Sequence, residues 1–115
     1  MPGSTTIRSA SCLCNAVKFD VEGEPISFRL CHCSNCQKHS GSVFMSPVFF
    51  KTANVHIKQG KDCIKQFEDK STISGTSLLR SYCEKCGSNL FLQTPGDAVI
   101  GVLVGAVDDT HDWSK

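Results

Sequence analysis

Cys83-Glu84-Lys85-Cys86-Gly87 is the stretch whose reading decides the fold. Two cysteines separated by two residues can place both thiolates on one side of a tight turn, and a glycine after the second lets the backbone enter the left-handed region. That is the pattern of a zinc knuckle, and it supplies two ligands where a structural zinc takes four. Cys12-Leu13-Cys14 is the natural donor of the other pair. Residues two apart on a strand point to one face, so both sulfurs would be presented together while Leu13 turns towards the core. Joining a pair near residue 12 to a pair near residue 83 clips together the two ends of a small domain, a constraint that bears on folding itself.

Cys31-His32-Cys33-Ser34-Asn35-Cys36 gathers three thiolates within six residues. Three protein ligands plus water or substrate make a catalytic zinc, whereas four protein ligands make a closed structural one. The alternative is that Cys63, His32 or His39 closes the trio as a fourth ligand. Cys63 is most simply a small buried hydrophobe or a free thiol. In an extended stretch His32 would point away from its flanking cysteines. His56 and His111 lie in polar surroundings and read as solvated, and Asp108 and Asp109 read as turn residues with a lesser claim to contacts behind a metal ligand.

An even count of eight cysteines could also be a disulfide framework. Seven of them sit in tight C-x-C or C-x-x-C clusters, and residues 1–10 hold an arginine but no apolar run of the secretory kind, so metal ligation is the better reading. A cytoplasmic location is the expectation. The chain of 115 residues has the size of one domain, and its 40% apolar and 20% charged content is that of a globular protein. No apolar run is long enough to cross a bilayer. Twelve basic and eleven acidic residues are interspersed and give a formal charge of +1. Seven thiolates around two divalent ions would turn that balance negative, which argues against nucleic acid as a partner. No nucleophile–histidine–acid signature or phosphate-cradling glycine loop occurs.

Periodicity predicts a β-rich domain. Val17, Phe19 and Val21 alternate with polar residues, Gly23-Glu24-Pro25 breaks the pattern, and Ile26, Phe28 and Leu30 resume it, so these two strands read as a hairpin delivering the chain to Cys31. The polar run Ser34 to Ser40, ended by Gly41, is the one helix candidate. Val43 to Phe50 is strand-like, with Pro47 favouring an edge or a bulge. Val55 and Ile57, then Ile64 and Phe67, predict two strands around the turn at Gly60. Leu78 to Tyr82 leads into Cys83, Leu90 to Leu92 follows the knuckle, and Ala98 to Val107 is apolar on both faces, as in a central strand. Residues 1–9 read as a flexible arm and residues 10–115 as the zinc domain.

Taken in order, Cys12-x-Cys14-x2-Val17-x-Phe19, Cys31-His32-Cys33-Ser34-x-Cys36 and Tyr82-Cys83-x2-Cys86-Gly87-Ser88-x-Leu90-Phe91 resemble the glutathione-dependent formaldehyde-activating enzyme family, also called the centromere protein V domain family. The resemblance covers roughly residues 10 to 110. It implies a Mss4-like fold, mainly β, of short antiparallel strands with zinc knuckles and little helix. It implies two zinc ions per chain, a structural one held by Cys12, Cys14, Cys83 and Cys86 and a catalytic one held by Cys31, Cys33 and Cys36. The activity implied is that of a carbon–sulfur lyase acting on a glutathione-type thiol adduct of a small aldehyde or other electrophile. The alternative within the same fold is a non-catalytic, chromatin-associated scaffold, and a third reading is a zinc store or redox-sensitive thiol cluster. A homodimer is left open. The chain departs from the family pattern at Asn15, where a glycine is usual after the first C-x-C, and at Gln37, where a basic residue is usual.

Overall fold

The computed structural model describes residues 6–72 and 75–108. Among the described residues, nine strands and one helix run in the order β1 (Ile7–Ser11), β2 (Lys18–Glu22), β3 (Ser27–Phe28), α1 (Ser34–Ser40), β4 (Pro47–Lys51), β5 (Val55–Gln59), β6 (Ile64–Asp69), β7 (Leu78–Cys83), β8 (Asn89–Gln93) and β9 (Val99–Leu103), with three short 3-10 turns. They form two antiparallel sheets, a three-stranded one of order β1-β2-β5 and a six-stranded one of order β3-β4-β9-β8-β7-β6. The mainly β fold of short strands expected from the sequence is the fold observed.

Alternation in β2 does what a period of two requires. Phe19 and Val21 are buried between Lys18, Asp20 and Glu22 on the other face, and Val17 just before the strand is also fully buried. Phe19 meets Phe91 of β8 at 4.8 Å between ring centroids with the planes tilted by 55°. This contact joins the small sheet to the large one, and such a pair adds about 0.5–1.5 kcal/mol beyond the burial of the two rings. Phe50, Leu90, Val48 and Val102 complete the centre of the core. Strand β9 lies between β4 and β8, as its two apolar faces require.

Three expectations are corrected. Residues 7–9, read as part of an arm, form β1 and pair with β2 from Ile7 opposite Glu22 to Ser11 opposite Lys18. The hairpin of Val17–Val21 with Ile26–Leu30 does not form, because β2 is taken by β1 and β5 while β3 pairs with β4 in the other sheet. Gly23-Glu24-Pro25 is therefore a crossover between sheets, pinned to β1 by the Gly23 N–H donating to Thr6 O at 2.8 Å and by Arg8 Nη1 donating to Gly23 O at 2.9 Å. Pro47 stands at the first position of an inner strand, not at an edge, a place where a missing donor interrupts no ladder. The helix spans the residues expected and ends at Gly41, whose φ of 69° puts it in the left-handed region.

The turn after β5 presses on the one after Cys14. Gly60 has φ of 77°, and a Cβ there would run into the carbonyl of Ala16 well inside contact distance. Gly60→Ala should therefore lower stability by more than about 1 kcal/mol, since strain and backbone collision act together. Urea unfolding of the variant and the parent protein measures the difference; an unchanged midpoint would contradict this packing.

Candidate metal centres

The first constellation is built by two turns. The chain leaves β1 and reverses between Cys12 and Val17, with the Cys12 N–H donating to Val17 O and the Asn15 N–H to Cys12 O, both at 3.1 Å. Asn15 makes this possible by taking φ of 65°, the left-handed conformation that asparagine tolerates. The pair is thus presented by a turn, not by strand alternation, and Leu13 between the cysteines is 84% exposed instead of facing the core. The second turn closes β7, where the Gly87 N–H donates to Cys83 O at 2.8 Å and the Cys83 N–H to Ser88 O at 3.0 Å. Gly87 has φ of 76°. A bond from the Leu13 N–H to Ser88 Oγ at 3.0 Å ties the two turns together.

These turns bring the sulfurs of Cys12, Cys14, Cys83 and Cys86 within 4.8 Å of one another. Cys12 and Cys14 are 3.6 Å apart and Cys14 and Cys83 are 3.8 Å apart. Four sulfurs at about 2.3 Å from a tetrahedral zinc would stand about 3.8 Å from each other, so the donor set and its spacing fit that ion. Ser88 also prepares a thiolate. Its hydroxyl lies 3.2 Å from Cys86 Sγ, and that contact, with the Ser88 backbone N–H, pulls the Cys86 thiol down to about 5.

The second constellation stands at the start of α1. Cys33 is the N-cap residue, and its sulfur accepts the Cys36 N–H at 3.3 Å. That bond is the leading reason its thiol lies below the ordinary value. Cys31 precedes the helix and is bridged to Met45 by a pair of backbone hydrogen bonds of 2.7 and 2.9 Å. The sulfurs of Cys31 and Cys33 are 3.6 Å apart and those of Cys31 and Cys36 are 3.0 Å apart. Burial, and then the neighbouring Cys31 and Cys33 thiols, push Cys36 up to about 12, with Arg80 acting in the opposite direction.

Among the described residues no fourth ligand atom joins this trio. Cys63 packs in the main core with Phe19 and Cys83. His32 Nδ1 is 3.3 Å from Val43 O and its ring lies 5.9 Å from that of Phe44. His39 Nε2 is buried without a hydrogen-bond partner, and burial, with a further contribution from Arg80, lowers its basicity. His56 pairs with Glu22 at 3.0 Å on the surface. Asp108 accepts from Ser11 Oγ at 2.6 Å, next to the first cysteine turn. Asp109 and His111 lie outside the described residues.

Sequence reasoning missed the ion pair behind the trio. Arg80 and Asp69 are 3% and 4% exposed, and Arg80 Nη2 donates to Asp69 Oδ2 at 3.0 Å. The guanidinium faces Cys36 Sγ at 3.9 and 4.0 Å and Met45 Sδ at 3.6 Å. Asp69 also accepts from Asn35 Nδ2 at 3.0 Å and from the Ser71 N–H and hydroxyl at 3.1 and 3.0 Å. The available signal was a single arginine in the otherwise uncharged run Leu78 to Cys83.

Burial opposes the charge of Asp69, but the Ser71 N–H and the Arg80 guanidinium outweigh it and hold the carboxyl below its usual range. A depressed carboxyl stabilises the fold above its unfolded value, about 3.9, and this contribution disappears as pH falls through the folded value. Asp69→Asn should therefore cost about 3–5 kcal/mol at pH 7 by leaving Arg80 buried and unpaired. The penalty should shrink as pH falls from 4 towards 2. Urea unfolding of both proteins across that range gives the comparison, and a penalty independent of pH would contradict the assignment.

Around the trio lie two adjoining cavities of about 410 and 330 Å³. Cys31, Cys36, Arg29, Leu78 and Thr94 border both of them. The chain therefore offers a closed four-sulfur centre and, apart from it, a three-sulfur centre that opens onto space of ligand size.

The family model described as glutathione-dependent formaldehyde-activating enzyme matches residues 7–115. A crystal structure of a Rhodobacter sphaeroides protein from structural genomics is similar over 90% of each chain, with 18% identity and a TM-score of 0.69, a likeness that shows the fold alone. No curated protein matches significantly.

Proposed function

Since the chain belongs to the glutathione-dependent formaldehyde-activating enzyme family, we propose that it is a zinc-dependent carbon–sulfur lyase acting on a glutathione-type thiol adduct of an aldehyde or related electrophile. In this reading Cys12, Cys14, Cys83 and Cys86 hold a structural zinc, and Cys31, Cys33 and Cys36 hold the catalytic one. The observation that carries the reading is the difference between the two sulfur sets: four converging ligands in one, three beside an open cleft in the other. Zinc bound by three thiolates is soft, and in its remaining position it would favour a sulfur ligand and keep it ionised near neutral pH.

The chain's own residues supply the rest. The Cys33 side chain caps α1 and fixes the first turn, which orients Cys36 relative to Cys31. Arg80 places a buried cation behind Cys36, where it offsets part of the negative charge of the three sulfurs. Arg29 borders both cavities and lies over the Phe49 ring at 5.4 Å, which suits it to the carboxylate of a peptide-like thiol. Ser34, Thr76 and Ser77 line the second cavity and can donate to the oxygen of the electrophile. In the synthetic direction the thiolate sulfur adds to the carbonyl carbon, and the carbonyl oxygen takes a proton from water. In the lytic direction the carbon–sulfur bond breaks with its electron pair on sulfur, the carbonyl double bond reforms, and the hydroxyl proton passes to water.

The rival reading, a zinc-dependent scaffold, finds its support in exposed Ile26, Phe28 and Leu30 on and beside the edge strand β3. The two readings differ in what they require of Cys33. Cys33→Ser should lower lyase turnover by about a hundredfold or more while the circular dichroism spectrum stays unchanged. Unchanged turnover would refute the catalytic assignment. Stepwise chelation should remove metal from the trio before the four-cysteine set, followed by metal analysis of wild type and Cys33→Ser; the reverse order would refute the partition.

A further inference from the structure

The cleft at the trio has two lobes, each lined by more apolar than polar surface but with different side chains. Beyond the shared residues the smaller is lined by Cys33, Arg80 and the polar side chains of Ser34, Asn35, Thr72, Thr76 and Ser77, of which Asn35 Nδ2 already donates to Asp69 and Ser71 and Thr72 Oγ1 to Thr76 O. The larger, of about 410 Å³, is walled by Ile26, Pro47, Phe49, Leu92 and Val99. Two of the polar side chains at its outer end, Gln93 and Asp97, are already committed within the protein. Gln93 Nε2 donates to Thr52 Oγ1 at 2.9 Å and to Asp97 O at 2.8 Å, and Asp97 Oδ1 accepts the Val99 N–H at 3.1 Å. What this lobe offers a ligand is chiefly apolar surface, and it begins at the sulfurs of Cys31 and Cys36.

We propose that this apolar lobe seats the carbon chain of the electrophile, so that the preferred substrate is the thiol adduct of a medium-length or aromatic aldehyde and not of a one-carbon one. The inference rests on the lyase reading above and adds the substrate class to it. Size argues for it, because a one-carbon unit occupies a volume of the order of one water, about 30 Å³, and would leave the lobe almost empty. Chemistry argues for it as well. The carboxylate of a peptide-like thiol finds a cation in Arg29 and the electrophile's oxygen finds the hydroxyls of Ser34, Thr76 and Ser77, while an apolar chain on the same carbon finds Phe49, Leu92 and Val99 on the other side. Removing such a chain from water favours binding with each methylene added.

The test uses the whole zinc-loaded protein and the glutathione adducts of formaldehyde, butanal, hexanal and benzaldehyde. The kcat/KM for the hexanal or benzaldehyde adduct should exceed that for the formaldehyde adduct by about tenfold or more. Ile26→Asp, at an exposed position where folding should tolerate it, should bring that ratio down towards one, and Phe49→Ala should lower it as a second variant. A separate measurement needs no turnover: n-alkanethiols from methanethiol to hexanethiol are titrated into the cobalt-substituted protein, with binding followed by the sulfur-to-cobalt absorption band. Affinity should rise by about fourfold per methylene. Turnover greatest with the one-carbon adduct, or affinity indifferent to chain length, overturns the lobe assignment and leaves the lyase reading standing. No turnover with any adduct, alongside thiol affinity that still climbs with chain length, overturns the lyase reading and with it the substrate assigned here.

Discussion

The convergence of four sulfurs from two distant turns is the constraint on which the architecture depends. Cys12 and Cys14 follow the first strand of the small sheet, and Cys83 and Cys86 close the β7 strand of the large one. Between these sheets the packing of Phe19 on Phe91 does part of the joining, but a domain of 115 residues buries a limited core. An ion shared by the two turns would fix their relative position and convert its binding energy into folding energy. Asn15, Gly60 and Gly87, each with positive φ, let the backbone bend sharply enough at and around those turns.

From that frame the large sheet carries the reactive end. The segment leading into β4 sets Met45 against Cys31, the short helix orders Cys33 and Cys36, and β7 sends Arg80 beneath them. The Asp69–Arg80 pair is costly to bury, and its several hydrogen bonds are what make burial tolerable. Its position against Cys36 couples the shape of the core to the charge at the sulfur trio. One sheet thus supplies a rigid base, and the cleft opens where the helix and the start of β4 leave the core.

Much of this was legible in the sequence, and the reason is chemical. Cysteine spacing carries ligand geometry directly, so the grouping of Cys12 and Cys14 with Cys83 and Cys86, and of Cys31, Cys33 and Cys36 with one another, followed from ligand counting and from family resemblance alike. Strand positions followed from alternation, and the helix from its polar run and Gly41. Strand partners did not, because alternation reports which face is buried and not which neighbour is bonded; β2 and β3 therefore looked like a hairpin although they belong to different sheets. Residues 7–9 read as part of an arm because the Ser, Thr and Gly content of residues 1–10 is that of a loop, while their pairing with β2 is tertiary. The Asp69–Arg80 pair was hidden for the same reason, since eleven positions separate two residues that only the sheet register brings together.

The central claim is that seven cysteines are divided between two metal ions as four and three. Native mass spectrometry of the protein, read beside X-ray absorption at the zinc edge, tests it most directly. The account predicts two ions per chain with sulfur at about 2.3 Å, falling to one ion when Cys31, Cys33 and Cys36 are all replaced by serine. A single ion in both proteins, or a mass showing cysteines lost as disulfides in place of metal, would contradict it.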